Sequence, residues 1–252
     1  MTNQVILDKE KHKNTRILTR HGAEFGDTRH VIGVAPSEFR NLLAYYPILF
    51  MKEPEGEQLV PVTLVGFEPG ENLFLEGDAW DAPYVPANVQ RQPFALQLLP
   101  ATGEDGKDTL IPAVTLNMDS PRLSEQEGER IVDEEGKETE YFQRVQKSLW
   151  QLVQGQDAAK TFVSKLERLD LIEPLDFQLN FANGTARSMR GLYTIKEASL
   201  RRLNDEATLD LHKTGYLDLI YSMLASLSQI GALLARKNRR IAAGMQPSVS
   251  EG

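Results

Sequence analysis

Apolar residues in the first half of the chain fall into short runs separated by turn-forming residues. Residues 48–52 and 59–67 flank a Glu-Pro-Glu-Gly-Glu turn, and residues 94–99 and 109–116 flank a polar loop. Short apolar runs bounded by such turns are typical of β-strands, and short connections join antiparallel neighbours. The pattern therefore predicts a meander of antiparallel strands, not a βαβ alternation.

The apolar period becomes helical in the second half of the chain. Residues 141–154 and 156–169 each carry apolar residues at helical spacing, which predicts two helices with a break at Gly155. Between residues 175 and 181 apolar and polar residues alternate, and an Asn-Gly pair follows before a second run that ends at Ile195. This arrangement predicts one β-hairpin within the helix-rich half.

These elements predict one α+β domain, in which an antiparallel strand meander of the N-terminal half packs with a helix-rich C-terminal half that contains one β-hairpin. We expect a loose N-terminal segment over residues 1–20, a single domain over 21–240 and a disordered tail over 241–252. Within the domain, we expect a strand-rich part at 21–118, an acidic surface flap at 119–139 and a helix-rich part at 140–240.

The most apolar helix of the chain is predicted over residues 219–235, which hold no charged residue. That run is shorter than the ~20 apolar residues that cross a bilayer. Polar Ser222, Ser226 and Gln229 form one stripe along it, so we expect a mostly buried core helix and no integral membrane insertion. A helix that lies on a membrane surface, with residues 236–240 as its basic end, is the alternative.

Composition and charge exclude several functions. The chain has no cysteine, so disulfides, thiolate metal sites and cysteine nucleophiles are absent. The net charge of −8 belongs to residues 101–140, which contain twelve acidic and four basic residues, and the remainder is neutral. We therefore expect no nucleic-acid partner. The first residues lack the apolar core of a secretory signal, which favours a cytoplasmic location.

Few residues are arranged for catalysis, because the sequence contains neither a Gly-x-Ser-x-Gly elbow nor a phosphate-binding glycine loop. One metal-site alternative is His21, Glu24, Asp27 and His30, whose imidazoles and carboxylates are plausible ligands. Its spacing is not diagnostic, since a turn that leads into a strand accounts for the same residues. We expect no cofactor.

A better candidate site lies between residues 71 and 94, where aromatic residues with polar groups occur beside arginine and amides. Such residues commonly line ligand pockets and protein interfaces. The alternative is structural, with the aromatic rings covering one end of the sheet. The candidate binding residues are His30, Asn72, Trp80, Asp81, Tyr84 and Arg91.

Several blocks in this order resemble the bacterial SapC family: Tyr46-Pro47, then the tract from Glu68 to Phe94, Ser-Pro-Arg-Leu-Ser-Glu at residues 120–125 and Leu-His-Lys-x-Gly at residues 211–215. The family takes its name from surface-layer proteins, and its members are often labelled peptide-transport permeases. Relatives are typically encoded beside flavin-dependent tryptophan halogenases and TonB-type receptors. The resemblance implies an accessory role in nutrient uptake or modification, with no catalytic residues to transfer.

Together these observations predict a soluble, cytoplasmic SapC-family accessory or binding protein without catalysis of its own. Its partner would be a protein or a small-molecule ligand. One alternative is a metal-dependent enzyme that uses the region of His21 and His30. Another is a surface-layer or envelope-associated structural protein.

Overall fold

The computed structural model describes residues 3–53, 56–102 and 108–244. Strands are found in both halves of the chain, and the strand bounds are β1 Gln4–Ile6, β2 Arg16–Ile17, β3 Val31–Gly33, β4 Ile48–Lys52, β5 Leu59–Leu64, β6 Leu75–Glu76, β7 Ala79–Trp80, β8 Phe94–Thr102, β9 Asp108–Asn117, β10 Leu123–Ser124, β11 Glu129–Arg130, β12 Ile172–Asn180 and β13 Ala186–Ile195. The helices are α1 Phe39–Leu42, α2 Ala87–Gln90, α3 Glu140–Arg168, α4 Glu197–Leu200, α5 Asp205–Lys213, α6 Tyr216–Ser226 and α7 Gln229–Ala242. The α+β class predicted from the sequence is confirmed.

A five-stranded antiparallel sheet with the order β12-β13-β4-β5-β3 forms the centre of the fold. Strands β4 and β5 lie inside this sheet. Ile48, Leu49 and Phe50 of β4 and Leu64 of β5 are fully buried, as expected of strands covered on both faces. The predicted hairpin is confirmed, with Gly184 in the left-handed region of its turn. Because β13 pairs with β4, this hairpin also completes a sheet begun in the N-terminal half.

Helix α3 joins two apolar cores. Its first turns place Phe142, Val145 and Leu149 against Phe94 and neighbouring residues of a second sheet, β1-β9-β8. The later turns of α3 place Phe162, Val163 and Leu166 against the central sheet. A helix of this length therefore holds the β8–β9 hairpin and the central sheet in one structure.

The predicted break at Gly155 is wrong, since α3 runs through it without interruption. Glycine is present there because the helix passes very close to Ala35, and a Cβ built on Gly155 would lie 2.5 Å from the Ala35 Cβ. Glycine is therefore required at position 155 by close packing, and it does not mark the end of a helix.

The N-terminal segment and the acidic flap differ from the expectation. Strand β1 pairs with β9, and β2 pairs with both β10 and β11 of the acidic segment. Ile17 and Ile131 are fully buried in the smaller core. The few apolar residues of the two segments therefore pack in one core although they are distant in sequence. Residues 4–17 and 123–132 consequently include paired strands. Of the expected tail, residues 241–244 are described, and 245–252 lie outside the described residues.

The last apolar segment is two helices, α6 and α7, interrupted at Leu227 and Ser228. Taken together, Tyr216–Ala242 is long and apolar enough by length and composition to cross a membrane, and only 22% of its most apolar window is buried. It is thus less buried than predicted, because one stripe through Ile220, Met223 and Leu233 packs inward. Tyr221 and the small residues Ala225 and Gly231 are exposed.

The sequence placed Ser226 on a polar stripe of the last helix, but this residue does not face solvent. Its side chain is fully buried, and its hydroxyl accepts a hydrogen bond of 2.8 Å from the backbone N–H of Ile48. The same hydroxyl donates to the Met223 carbonyl. Ser226 therefore joins α6 to the first residue of β4.

Candidate functional site

A large cleft among the described residues lies beside α7 and has a volume of about 1100 Å³. The C-terminal half of α7 forms one wall, and residues 68–77, which include β6 and most of the segment that leads to it from β5, form another. The turn at residues 22–28 and the tip of the β12–β13 hairpin, with Phe181 and Asn183, complete the lining. We call this feature the α7 cleft. It contains residues from both halves of the chain.

A buried ion pair fixes α7 to the wall of the cleft. The Lys237 ammonium lies 2.6 Å from Glu71 Oε1, and the two side chains are only 8% and 3% exposed. Glu71 Oε2 accepts a second hydrogen bond of 2.8 Å from the backbone N–H of Phe67. Glu68 Oε2 lies 3.5 Å from the same ammonium. Because both buried charges are paired and hydrogen-bonded, their burial is compensated, and removal of Lys237 would leave the Glu71 carboxylate as an unpaired buried charge.

Arg236 binds the segment that follows the cleft. Its guanidinium donates to the carboxylate and to the backbone carbonyl of Asp81, and it lies 4.3 Å from the centre of the Phe74 ring. A cation over an aromatic face adds a modest attraction to the ion pair. Asp81, a predicted binding residue, therefore orients Arg236 at the edge of the cleft.

Arg240 closes the inner end of the cleft with hydrogen bonds to two backbone carbonyls, those of Asn72 and Leu75. Burial lowers the pKa of the Arg240 guanidinium, and the nearby carboxylates of Glu71 and Glu76 act in the opposite direction. The carbonyls thus fill much of its donor capacity and hold the loop in place.

Other charged groups remain accessible at the rim. Arg239, Glu24 and Glu76 line the cleft and are exposed, and none forms an ion pair with another residue in the described part of the chain. Charges of both signs that form no ion pair within the described residues are available to a ligand that carries charged groups of its own.

Asn72 is buried beside the cleft, and its side-chain amide forms hydrogen bonds with the protein's own backbone. Its amide donates a hydrogen bond of 2.8 Å to the Asp27 carbonyl, and its side-chain oxygen accepts one of 2.9 Å from the Phe74 backbone. The side chain thereby joins the 22–28 turn to the 68–77 segment. Asn72 shapes the cleft through these two bonds.

Trp80 and Tyr84 belong to a separate buried network. The indole N–H of Trp80 donates to the Tyr46 hydroxyl at 2.7 Å, and that hydroxyl donates to the Tyr84 carbonyl. The Tyr84 hydroxyl donates to the buried Glu38 carboxylate at 2.9 Å. Burial raises the pKa of both tyrosine hydroxyls, so they remain neutral donors. In this network the aromatic side chains secure the 80–87 loop to the core, as the structural alternative expected.

The remaining two predicted residues lie outside the cleft lining. Arg91 donates to the Asn88 side chain and to the Phe94 carbonyl, and burial lowers the pKa of its guanidinium, with a smaller effect from Arg29. Burial also lowers the pKa of His30, and Arg187 adds to that shift. Both effects favour the neutral form of His30, and the nearby Glu71 carboxylate opposes them.

The four residues of the metal-site alternative are not gathered around one point. The Asp27 carboxylate accepts hydrogen bonds from the Arg122 guanidinium at 2.7 and 2.8 Å and lies 3.1 Å from His21 Nδ1. Glu24 lines the α7 cleft instead. In residues 3–53, 56–102 and 108–244, no three His, Asp or Glu side chains are placed to hold a metal ion.

Sequence reasoning considered residues 236–240 as the basic end of the last helix and so missed Lys237, Arg236 and Arg240 as cleft residues. A signal was present in the helical spacing. Lys237 lies four residues after Leu233 and falls on the same buried stripe. A lysine on an apolar stripe indicates a buried carboxylate partner, although the sequence alone does not identify that partner as Glu71.

The fold and the cleft define an α+β protein with an open, charged cleft between its two halves. The sequence model of the SapC family matches residues 7–233, nearly the whole chain, and the protein therefore belongs to the SapC family. No curated protein and no solved structure is significantly similar to it.

Proposed function

We propose that this SapC-family protein is a soluble binding or accessory protein whose ligand lies in the α7 cleft. The observation that carries the proposal is the cleft itself, about 1100 Å³ in volume, with walls held by the buried Lys237–Glu71 pair. Ligand sites are typically large concave pockets that are largely formed before binding. Because its walls are already fixed, the cleft loses little conformational entropy when a ligand binds.

The lining favours an elongated polar ligand, and among such ligands a peptide segment of a protein partner fits it best. Arg239 offers a cation, and Glu24 and Glu76 offer carboxylates at other points of the rim. Asn183 and Thr185 add polar groups, and Phe181 adds an aromatic surface. Charged groups of both signs beside hydrogen-bonding groups match a peptide backbone with mixed side chains.

The accessory role beside TonB-type receptors and tryptophan halogenases, and the cytoplasmic location, are further parts of this proposal. The accessory role rests on the family resemblance. Contacts of the last helix are compatible with both parts, because Arg236, Lys237 and Arg240 bind the protein's own cleft walls. These three cations are thus not directed outward toward lipid headgroups. Cell fractionation would refute the location if the protein were recovered only with the envelope.

A peptide-library screen, read by fluorescence polarisation with the purified full chain, tests the binding proposal. The variant Arg239→Ala removes an exposed cation from the rim without disturbing an ion pair that the structure shows. We expect peptides selected on the natural protein to bind Arg239→Ala about tenfold more weakly, because a hydrogen bond to a charged group is lost.

Arg190→Ala is the matched control, since Arg190 is an exposed arginine on β13 that does not line the cleft. It should bind the selected peptides as the natural protein does. The proposal is wrong if no peptide binds, or if the two arginine variants weaken binding equally.

A further inference from the structure

A second cavity, of about 270 Å³, lies on the other side of His21 and shares no lining residue with the α7 cleft. It is bounded by the first turns of α3, by the residues around α2 and by the segment between β1 and β3. One face of α3 contributes Tyr141, Arg144 and Ser148 at helical spacing. Helix α3 thus places three polar side chains along one wall.

Polar groups without a protein partner converge on this cavity. In the described part of the chain, the Arg144 guanidinium, the Tyr141 hydroxyl and the Gln92 amide form no hydrogen bond with other residues. His21 uses Nδ1 on the Asp27 carboxylate, which does not line the cavity, so Nε2 is the ring nitrogen left for it. The edge of the Trp80 ring holds the imidazole, with ring centres 5.4 Å apart.

The charges around the cavity favour an anion with a single negative charge. Arg122 also lines the cavity but is already neutralised by Asp27, its guanidinium 2.7 Å from that carboxylate. Arg144 has no ion-pair partner within 4.0 Å in the described residues, and so it offers a free positive charge. Glu129 on the facing wall would repel a second negative charge.

Burial raises the pKa of the Tyr141 hydroxyl, although Arg122 and Arg144 act in the opposite direction. The hydroxyl therefore stays protonated and remains a hydrogen-bond donor at physiological pH. Leu18, Val89 and Val145 add apolar surface to the lining, beside the polar groups of Thr19, Gln90 and Glu129. Hydrogen-bond donors beside aliphatic groups match an organic acid better than an inorganic oxyanion.

We propose that this cavity binds a small monocarboxylic acid with an apolar body. Arg144 and Tyr141 donate hydrogen bonds to its carboxylate, and the apolar part lies against Val89 and Val145. His21, oriented by Asp27, supplies a further polar contact through Nε2. This site is independent of the α7 cleft and of any peptide bound there.

Isothermal titration of the full chain with acetate, isovalerate and benzoate tests the proposal, with isovaleramide, benzamide and inorganic phosphate as comparison probes. At least one of the two larger acids should bind more tightly than acetate, its own amide or phosphate. The variant Arg144→Gln should weaken that acid about tenfold or more, and Tyr141→Phe should weaken it several-fold, since each removes a donor to the carboxylate.

Lys147→Gln is the matched control, because Lys147 is an exposed cation on the same helix that does not line the cavity. It should leave the affinity unchanged. The proposal is overturned if none of the acids binds at millimolar concentration, if phosphate or the amide binds as tightly, or if Arg144→Gln and Lys147→Gln behave alike. Peptide binding in the α7 cleft should be unaffected by Arg144→Gln, which separates failure of this site from failure of the other.

Discussion

Three carboxylates of this protein are almost completely inaccessible to solvent: Asp27 is 4% exposed, Glu38 is fully buried and Glu71 is 4% exposed. Each accepts hydrogen bonds from a group that is distant in sequence. Arg122 binds Asp27, Lys237 binds Glu71, and Tyr84 binds Glu38. Since a buried carboxylate without such donors is very costly, each contact specifies one arrangement of two remote segments.

The Asp27–Arg122 pair predicts a stability that depends on pH. Burial alone would raise the pKa of Asp27, but His21 and Arg122 together hold it below its ordinary value. A lowered pKa in the folded state stabilises the fold above the unfolded-state pKa of about 3.9, and this stabilisation is lost as the pH falls below that value.

Asp27→Asn should therefore destabilise the protein by on the order of 3–5 kcal/mol at neutral pH, because Arg122 is left as an uncompensated buried charge. The difference from the natural protein should narrow as the pH falls below about 4. Urea denaturation at several pH values measures both effects. Asp176→Asn, an exposed substitution on β12, serves as the control. A difference that stays constant with pH would contradict the account.

Ser226→Ala gives a second residue-scale prediction. The substitution leaves the backbone N–H of Ile48 buried without its 2.8 Å acceptor, so the free energy of unfolding should fall by about 1–3 kcal/mol. Ser222, on the same helix, bonds only to the Asp218 carbonyl within its own helix, and Ser222→Ala should change stability little. Equal midpoints of urea denaturation for the two variants would show that the Ser226–Ile48 bond does not matter.

At the scale of elements, the local pattern predicted the structural elements that depend on neighbouring residues. It missed the features that depend on contacts between remote residues. The β12–β13 hairpin, the β4–β5 pair and the β8–β9 pair followed from apolar runs and turns. The continuity of α3 did not, because the need for Gly155 comes from Ala35, far away in the chain. The pairing of β2 with the acidic segment likewise depends on a remote contact.

Helix α3 provides a test of that interpretation. Gly155→Ala should destabilise the protein by about 1–3 kcal/mol, since the new methyl group meets Ala35 although alanine is the better helix former. Gly231→Ala in α7 meets nothing within 4 Å and should stabilise by up to about 1 kcal/mol. Thermal denaturation compares the two variants. Stabilisation by both substitutions would contradict the close packing of Gly155 against Ala35.

At the scale of the whole molecule, the candidate site could be predicted only in part. Of the tract from residue 71 to 94, the first part, residues 71–77, lines the α7 cleft, and Asn72 is among its lining residues. Asp81 lies outside the lining and binds Arg236, which lines the cleft. Trp80 and Tyr84 are directed into the core instead. The opposite wall comes from α7, and no local pattern shows which remote segment a helix will face.

Hydrogen–deuterium exchange tests most directly whether the α7 cleft is the ligand-binding site. The full chain would be compared with and without a peptide selected in the library screen. We predict that exchange slows in residues 68–77 and in 236–244, and that it is unchanged around Arg144 on α3. Protection that is absent from both cleft walls, or that occurs only at α3, would contradict the assignment of the α7 cleft as the binding site.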